Sequence, residues 1–173
     1  MAKEANLLVT FDPTHQESAL KQIEAIFKET KDKFSLIKAD EGVAELMVGD
    51  AKKTVKQLIG LAKKNSDKFG HTFHWIPIEK WVKSGVADLK KAVKEYEKGI
   101  KENEKWKMDL KVRKVKTKPD EVKLIMNLTE DINRQKVDLE NPEKIIKIEI
   151  IGNKAGLALL GKDELLNIAK YRK

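Results

Sequence analysis

Apolar and charged residues alternate without a break from Trp106 to Arg113. The apolar positions are Trp106, Met108, Leu110 and Val112, and the charged positions between them are Lys107, Asp109, Lys111 and Arg113. Since successive side chains of a β-strand point to opposite faces, this pattern predicts a strand with one buried face and one charged face. The alternation slips by one residue at Arg113–Lys114, which predicts a strand end or a β-bulge there.

The N-terminal half of the chain predicts the element order β-α-β-β-α-β. Alternating or continuous apolar runs predict strands over residues 6–11, 34–39, 43–48 and 71–81, the last of them broken by Pro77. Thr14 and Glu17 have the spacing of a capping box before one helix, and Asp50 is the predicted cap of the next. This order is typical of a ferredoxin-like domain, in which both helices lie on one side of a four-stranded antiparallel sheet.

The C-terminal half predicts a second α/β unit, so the fold class is α+β with packed domains at residues 1–83 and 84–173. A helix is expected over 86–103, the basic strand follows, and a hairpin is expected over 145–160 before a terminal helix at 162–171. Between strand and hairpin, Thr117 is the possible cap of a helix with Pro119 in its first turn. Helical spacing predicts that this helix buries Val122, Ile125, Met126, Thr129 and Ile132.

Positive charge is concentrated on the alternating strand and the turn after it. Residues 105–118 contain seven basic residues and one acidic residue, a net charge of +6, while the whole chain carries +8. A basic surface is the electrostatic footprint of a polyanion such as nucleic acid or anionic lipid. The other interpretation is a Lys/Glu-rich surface of the kind found in heat-adapted proteins. The clustering at 105–118 favours a binding partner.

Several kinds of site are not expected. The chain has no cysteine, so disulfides and thiolate metal sites are excluded, and a reducing cytoplasm is compatible. No apolar run is long enough to span a membrane. His71 and His74 would point to opposite faces of a strand, so we expect no metal there. Residues 156–162 share the P-loop spacing, but Asp163 replaces the Ser or Thr that holds magnesium, and no cofactor is expected.

Three segments together resemble the THUMP domain. They are Val112-Arg113-Lys114 in the basic strand, Val137-Asp138-Leu139 followed by Asn141-Pro142, and Ile146-x-Ile148-Glu149-Ile150. The resemblance implies a module of tRNA thiolation, methylation, pseudouridylation and acetylation systems, commonly preceded by a ferredoxin-like domain. In that family the tandem docks the acceptor stem and 3′ end of tRNA. The opening residues 6–13 resemble the stand-alone subgroup, the adaptor of the tRNA acetyltransferase that makes 4-acetylcytidine.

The resemblance implies a cytoplasmic, non-catalytic tRNA-binding adaptor that works with a separate enzyme, most plausibly a cytidine acetyltransferase. Phosphate neutralisation by lysine and arginine would supply the RNA affinity. The expected RNA-binding residues are Lys105, Lys107, Lys111, Arg113, Lys114, Lys116, Lys118, Asn141, Lys144, Lys147 and Lys154. For Asn141 itself, a structural role in a rigid Asn-Pro turn is favoured over direct RNA contact. Two alternatives remain open: an RNA-binding subunit of a thiolation or methylation system, and a protein-interaction scaffold whose basic face binds an acidic partner.

Overall fold

The computed structural model describes residues 4–172 and shows nine strands and four α-helices in that range. The strands are β1 (Leu7–Thr10), β2 (Phe34–Asp40), β3 (Val43–Val48), β4 (His74–Pro77), β5 (Lys80–Lys83), β6 (Trp106–Arg113), β7 (Lys144–Ile151), β8 (Lys154–Leu160) and β9 (Leu166–Asn167). The helices are α1 (Gln16–Thr30), α2 (Ala51–Lys64), α3 (Val86–Glu97) and α4 (Glu121–Thr129). Helices and two sheets together confirm the α+β class. Across this range no helix combines the length and apolarity that a membrane span requires.

The chain forms two compact units. The first contains the chain up to Ile78 together with the segment from Asp163 onward, and the second is Glu79–Lys162. The sequence predicts a boundary after residue 83, whereas β5, at residues 80–83, pairs with β8 of the second unit. Pro77 at the end of β4 separates the two strands that the sequence predicts as one. The predicted terminal helix is wrong, because that segment forms β9, which pairs with β4, and a short 3-10 turn at Ile168–Lys170.

The first unit has a ferredoxin-like arrangement of strands and helices with one added strand. Its sheet has the order β2-β3-β1-β4-β9, and every neighbouring pair is antiparallel. The helices α1 and α2 pack into one core with this sheet, as predicted. At the centre of that core Trp75 is fully buried, with its ring 5.9 Å from the rings of both Phe27 and Phe69.

The second unit is a four-stranded sheet covered by α3 and α4. Its order is β5-β8-β7-β6, with β6 at one edge and parallel to β7, while the other pairs are antiparallel. The predicted alternation in β6 is confirmed, since its four apolar residues are 3–7% exposed and share one core with both helices. The strand ends where the pattern slips, because Lys114 adopts a left-handed backbone conformation with a φ of 58°. Residues 154–160 form β8 and not a phosphate-binding loop.

The sequence predicts threonine caps at two helix starts, but aspartates cap both segments in the structure. Asp12 accepts a hydrogen bond from the Thr14 N–H at 2.9 Å and begins a 3-10 turn before α1. Asp120 accepts from the N–H groups of Val122 and Lys123 and begins α4. A carboxylate is a stronger acceptor than a hydroxyl and also interacts favourably with the helix dipole. The prediction for Asp50 is confirmed, since its carboxylate accepts from the Lys53 N–H at 3.1 Å.

Replacing two glycines by alanine should change stability in opposite directions. Gly42, in the β2–β3 turn, has a φ of +85°, and an added Cβ would lie 2.8 Å from the Phe11 carbonyl oxygen. Gly42→Ala should therefore lower the free energy of unfolding by about 1–3 kcal/mol. Gly60 lies within α2 with open space around the added Cβ. Gly60→Ala should raise stability by about 0.5–1 kcal/mol in urea denaturation. A neutral Gly42→Ala would show that this turn is not strained.

Candidate nucleic-acid interface

The charged face of β6 presents lysine at the edge of the second sheet. Lys111 is exposed, and Lys107 is partly buried with its Nζ 3.5 Å from the Leu139 carbonyl oxygen. Lys116 and Lys118 follow the strand and are exposed, and the Lys118 Nζ lies 4.0 Å from the Glu121 carboxylate. Within residues 4–172, neither Lys111 nor Lys116 has a carboxylate at ion-pair distance. These two ammonium groups are the ones left most open to an external anion.

A chain of four ion-paired residues occupies the middle of the same face. Arg113 Nε donates to Glu149 Oε2 at 2.8 Å, Lys147 Nζ lies 3.0 Å from Glu149 Oε1, and Lys147 Nζ lies 3.3 Å from Asp109 Oδ1. Glu149 is fully buried and the Lys147 side chain is 4% exposed. Glu149 Oε1 has no hydrogen bond of good geometry, so we describe its contact with Lys147 as an ion pair. Two cations and two anions leave the chain of pairs neutral.

This arrangement corrects the expected place of Lys147 and pairs another expected residue, Arg113, with a buried carboxylate. Lys147 does not flank the basic strand on the solvent side, because it is buried between two carboxylates. The Arg113 side chain is 26% exposed, and it is the partner of the buried Glu149. Removing a buried carboxylate from water costs several kcal/mol unless cations and hydrogen bonds compensate it. Both residues therefore compensate Glu149; the burial of Lys147 keeps its charge from phosphate, and the RNA contact expected of Arg113 stays a prediction.

The other expected cations have partners of their own. Lys144 Nζ is 3.4 Å from Glu104 Oε2, and Lys105 Nζ is 3.7 Å from Asp138 Oδ2. Burial alone would raise the pKa of Glu104, but the Lys101 N–H and the Lys144 ammonium hold it below its ordinary value. Lys154 Nζ lies over the Trp81 ring, 4.4 Å from its centroid. Lys114 is partly buried at the strand end. These lysines add positive electrostatic potential around the strand, but their ammonium groups already have partners.

Asp138 organises the turn that contains Asn141 and Pro142. Its Oδ1 accepts hydrogen bonds from the N–H groups of Glu140 and Asn141, at 3.0 and 2.9 Å. These backbone donors, that of Asn141 first, lower the pKa of Asp138, with a smaller contribution from Lys105. The Asp138 N–H donates to the Trp106 carbonyl, which ties the turn to the start of β6. Asn141 is exposed, and its placement serves the turn through its backbone N–H.

Sequence reasoning missed the pairing of Lys147 with Glu149. The signal was present, because Ile146-Lys147-Ile148-Glu149-Ile150 alternates as strictly as β6 does, with opposite charges on the second face. The parallel register places Lys147 beside Asp109 and Glu149 beside Lys111. Two charged faces in register on adjacent strands predict ion pairs across them. The register itself could not be derived from the sequence.

The sequence of the second unit matches the model of a known domain family. The model of the THUMP domain matches residues 83–160, which span α3, β6, α4, β7 and β8. Residues 83–160 are a THUMP domain. The resemblance drawn from the segments at 112–114, 137–142 and 146–150 is confirmed at this level, and the match contains the basic strand and the Asp138 turn. No curated protein sequence matches the chain.

Solved structures show the same fold over most of the chain. PH1313 from Pyrococcus horikoshii Ot3 is similar over 90% of this chain and 54% of its own, with a TM-score of 0.59 and 18% identity. TrmN from Thermus thermophilus is similar over 88% and 44%, with a TM-score of 0.53 and 15% identity. A possible methylase from Clostridium difficile 630 is similar over 91% and 41%, with a TM-score of 0.53 and 12% identity. The chain thus spans about half the length of these proteins, or less.

Removing the charge of Lys147 should destabilise the THUMP domain strongly. Lys147→Met keeps the volume of the side chain but leaves Glu149 fully buried with one cation in place of two. Loss of one partner of a buried pair typically lowers the free energy of unfolding by about 3–5 kcal/mol. The exposed Lys111→Met is the matched control and should change stability by less than about 0.5 kcal/mol. Equal effects of the two substitutions in urea denaturation would contradict the described network.

Proposed function

We propose that this protein is a tRNA-binding adaptor that holds the acceptor stem and 3′ end and presents the tRNA to a separate modification enzyme. The observation that carries the proposal is a THUMP domain whose edge strand and following turn display unpaired lysines. In this proposal the chain performs no chemical step itself. Its contribution is to raise the effective concentration of the tRNA at the enzyme.

The geometry of the lysines suits a nucleic-acid backbone. Residues on one face of a strand lie about 7 Å apart, so Lys107 and Lys111 are about 13 Å apart along β6. Lys116 and Lys118 are exposed in the segment that follows the strand end. A row of ammonium groups contacts several successive phosphates, where a compact cluster would contact one. Duplex RNA is recognised largely by shape and backbone, so such a row needs few base contacts.

The partner we propose first is a cytidine acetyltransferase that forms 4-acetylcytidine. Its support is the resemblance of residues 6–13 to the stand-alone adaptor of that reaction, a stretch that forms β1 and the Asp12-capped turn. A methylation system is the second candidate. It is favoured by the similarity to the possible methylase from Clostridium difficile 630, of which this chain spans 41%. Both candidates use the same lysine row for tRNA.

Removing two unpaired lysines should flatten the salt dependence of tRNA binding. Each phosphate contact contributes about −0.7 to −0.9 to the slope of log K against log salt concentration. Lys111→Ala with Lys116→Ala should therefore make the slope less negative by about 1.4–1.8 units if each lysine makes one contact. Lys91→Ala with Lys98→Ala is the matched control, because these exposed lysines lie on and just after α3, which packs against the opposite face of the sheet. Filter binding or fluorescence anisotropy over several salt concentrations measures both slopes.

An unchanged slope for the Lys111/Lys116 variant, with the circular dichroism spectrum intact, would contradict this RNA-binding surface. Equal flattening by the Lys91/Lys98 control would show that tRNA responds to net charge and not to the lysine row. Arg113 is left out of the variant because its loss would leave the buried Glu149 with one cation in place of two and destabilise the sheet.

The division of labour between adaptor and enzyme can be tested with purified components. The protein alone should bind tRNA and leave every nucleotide unmodified, with or without ATP and acetyl-CoA. Added to a cytidine acetyltransferase, it should increase formation of 4-acetylcytidine, and its deletion from cells should remove that nucleotide in mass spectrometry of total tRNA. Loss of a methylated nucleotide instead would indicate that the partner is a methylation system, the second candidate. A modified nucleotide produced by this protein alone would overturn the proposal.

A further inference from the structure

Arg113 lies at the end of β6 with one side of its guanidinium group held by a buried carboxylate. Its Nε donates to Glu149 Oε2 at 2.8 Å, and the Arg113 side chain makes no other hydrogen bond with residues 4–172. The remaining N–H donors of the guanidinium, on its two terminal amino groups, therefore have no acceptor in the described part of the chain. These donors are available to an external acceptor.

The terminal amino groups of Arg113 are open to solvent. Among the described residues, Glu149 Oε1 is the one buried side-chain nitrogen or oxygen atom that has no hydrogen bond. The Arg113 amino nitrogens make no hydrogen bond either, yet they are not among such buried atoms, so they reach the surface. The side chain as a whole is 26% exposed. The guanidinium thus has a buried side that contacts Glu149 and an open side that faces solvent.

Glu149 is itself held in place, which restricts the position of Arg113. The Glu149 side chain is fully buried on β7, and its Oε1 lies 3.0 Å from the Nζ of Lys147, whose side chain is 4% exposed. Lys147 Nζ lies in turn 3.3 Å from Asp109 Oδ1. A carboxylate that cannot rotate limits the rotamers of the arginine bound to it. Ordering a long side chain opposes binding, and Arg113 is already ordered before any ligand arrives.

The surroundings of Arg113 carry a surplus of positive charge. Residues 107–121 together with Lys147 and Glu149 contain seven basic and four acidic residues, a net charge of +3. The exposed Lys111 precedes Arg113 by two residues on the same face of β6, about 7 Å along the strand. The exposed Lys116 follows shortly after the strand end. An anion is therefore the acceptor that the open side of Arg113 favours.

We propose that Glu149 is a positioning residue for RNA, which holds Arg113 so that both terminal amino groups contact one phosphate of the tRNA backbone. A guanidinium matches the geometry of phosphate with two parallel hydrogen bonds, whereas a lysine ammonium binds phosphate as a point charge. The network from Asp109 to Arg113 then supports the phosphate contact from behind, as functional side chains require. The inference rests on the proposed function and assigns the residue that orients one of its RNA contacts.

Replacing Arg113 by lysine separates the charge of this residue from its geometry. Arg113→Lys keeps one cation beside Glu149 but loses the planar group, so the affinity of the whole protein for a tRNA transcript should fall by about three- to tenfold. The slope of log K against log salt concentration should stay unchanged, because the number of cations is the same. Lys111→Ala is the contrasting variant, in which the slope should become less negative. Unchanged affinity of Arg113→Lys would overturn the proposal.

Lys147→Met with Glu149→Met tests the positioning role itself. The pair of substitutions removes one cation and one anion, so the net charge of the chain is unchanged, and exchange of a buried ion pair for apolar side chains is often neutral for stability. Arg113 stays but loses its carboxylate, so tRNA affinity should fall about as far as in Arg113→Lys. Adding Arg113→Lys to this double variant should cause little further loss, whereas Lys111→Ala should weaken binding equally in both backgrounds.

Unchanged or stronger tRNA binding by the folded double variant would overturn the positioning role, and so would additive losses from Arg113→Lys. If circular dichroism shows that the double variant does not fold, Arg113→Lys decides alone. Failure of the wild type to bind tRNA would overturn the proposed function together with this inference. Wild-type binding that depends on Lys111 and Lys116, but not on Arg113 or Glu149, would overturn the positioning role only.

Discussion

The parallel pairing of β6 with β7 is the constraint on which the second unit depends. Its register sets Asp109 beside Lys147 and Lys111 beside Glu149, so that charges on two apolar strands meet on one face. If the register of β6 shifted by one residue, Trp106 and the other apolar residues of β6 would point to the charged face, and both the core and the ion pairs would be lost. The pairing thus places the lysine-bearing surface on one face of the edge strand β6 and the apolar surface on its other face.

Local patterns in the sequence are sufficient for much of this fold. Strict alternation predicted β6, and the slip at Arg113–Lys114 marked its end, because each depends on neighbouring residues alone. The ferredoxin-like order of the first unit followed from the patterns of two helices and four strands, which turn and capping residues separate. The caps were partly wrong, because threonine and aspartate both lie near the helix starts and only the chain geometry decides which oxygen reaches the N–H groups.

Features that depend on distant residues were not predictable in the same way. Lys147 has the same local pattern as Lys111, yet one is buried between carboxylates and the other is exposed, because β7 lies inside the sheet and β6 at its edge. The segment from Asp163 onward reads locally as a helix, but it adds a strand to the first unit. The stripe of α4 reads as core, and its exposure could be recognised only from the opening between α4 and residues 132–139.

In the proposed adaptor, tRNA lies on the lysine-bearing face of β6. The most direct measurement is an NMR titration of the labelled protein with tRNA. The account predicts that amide signals of Lys111 and Lys116 shift, while the methyl signals of Val122 and Met126 stay in place. Shifts at Val122 and Met126 without shifts at Lys111 and Lys116 would place the RNA in the opening between α4 and residues 132–139 and contradict the account.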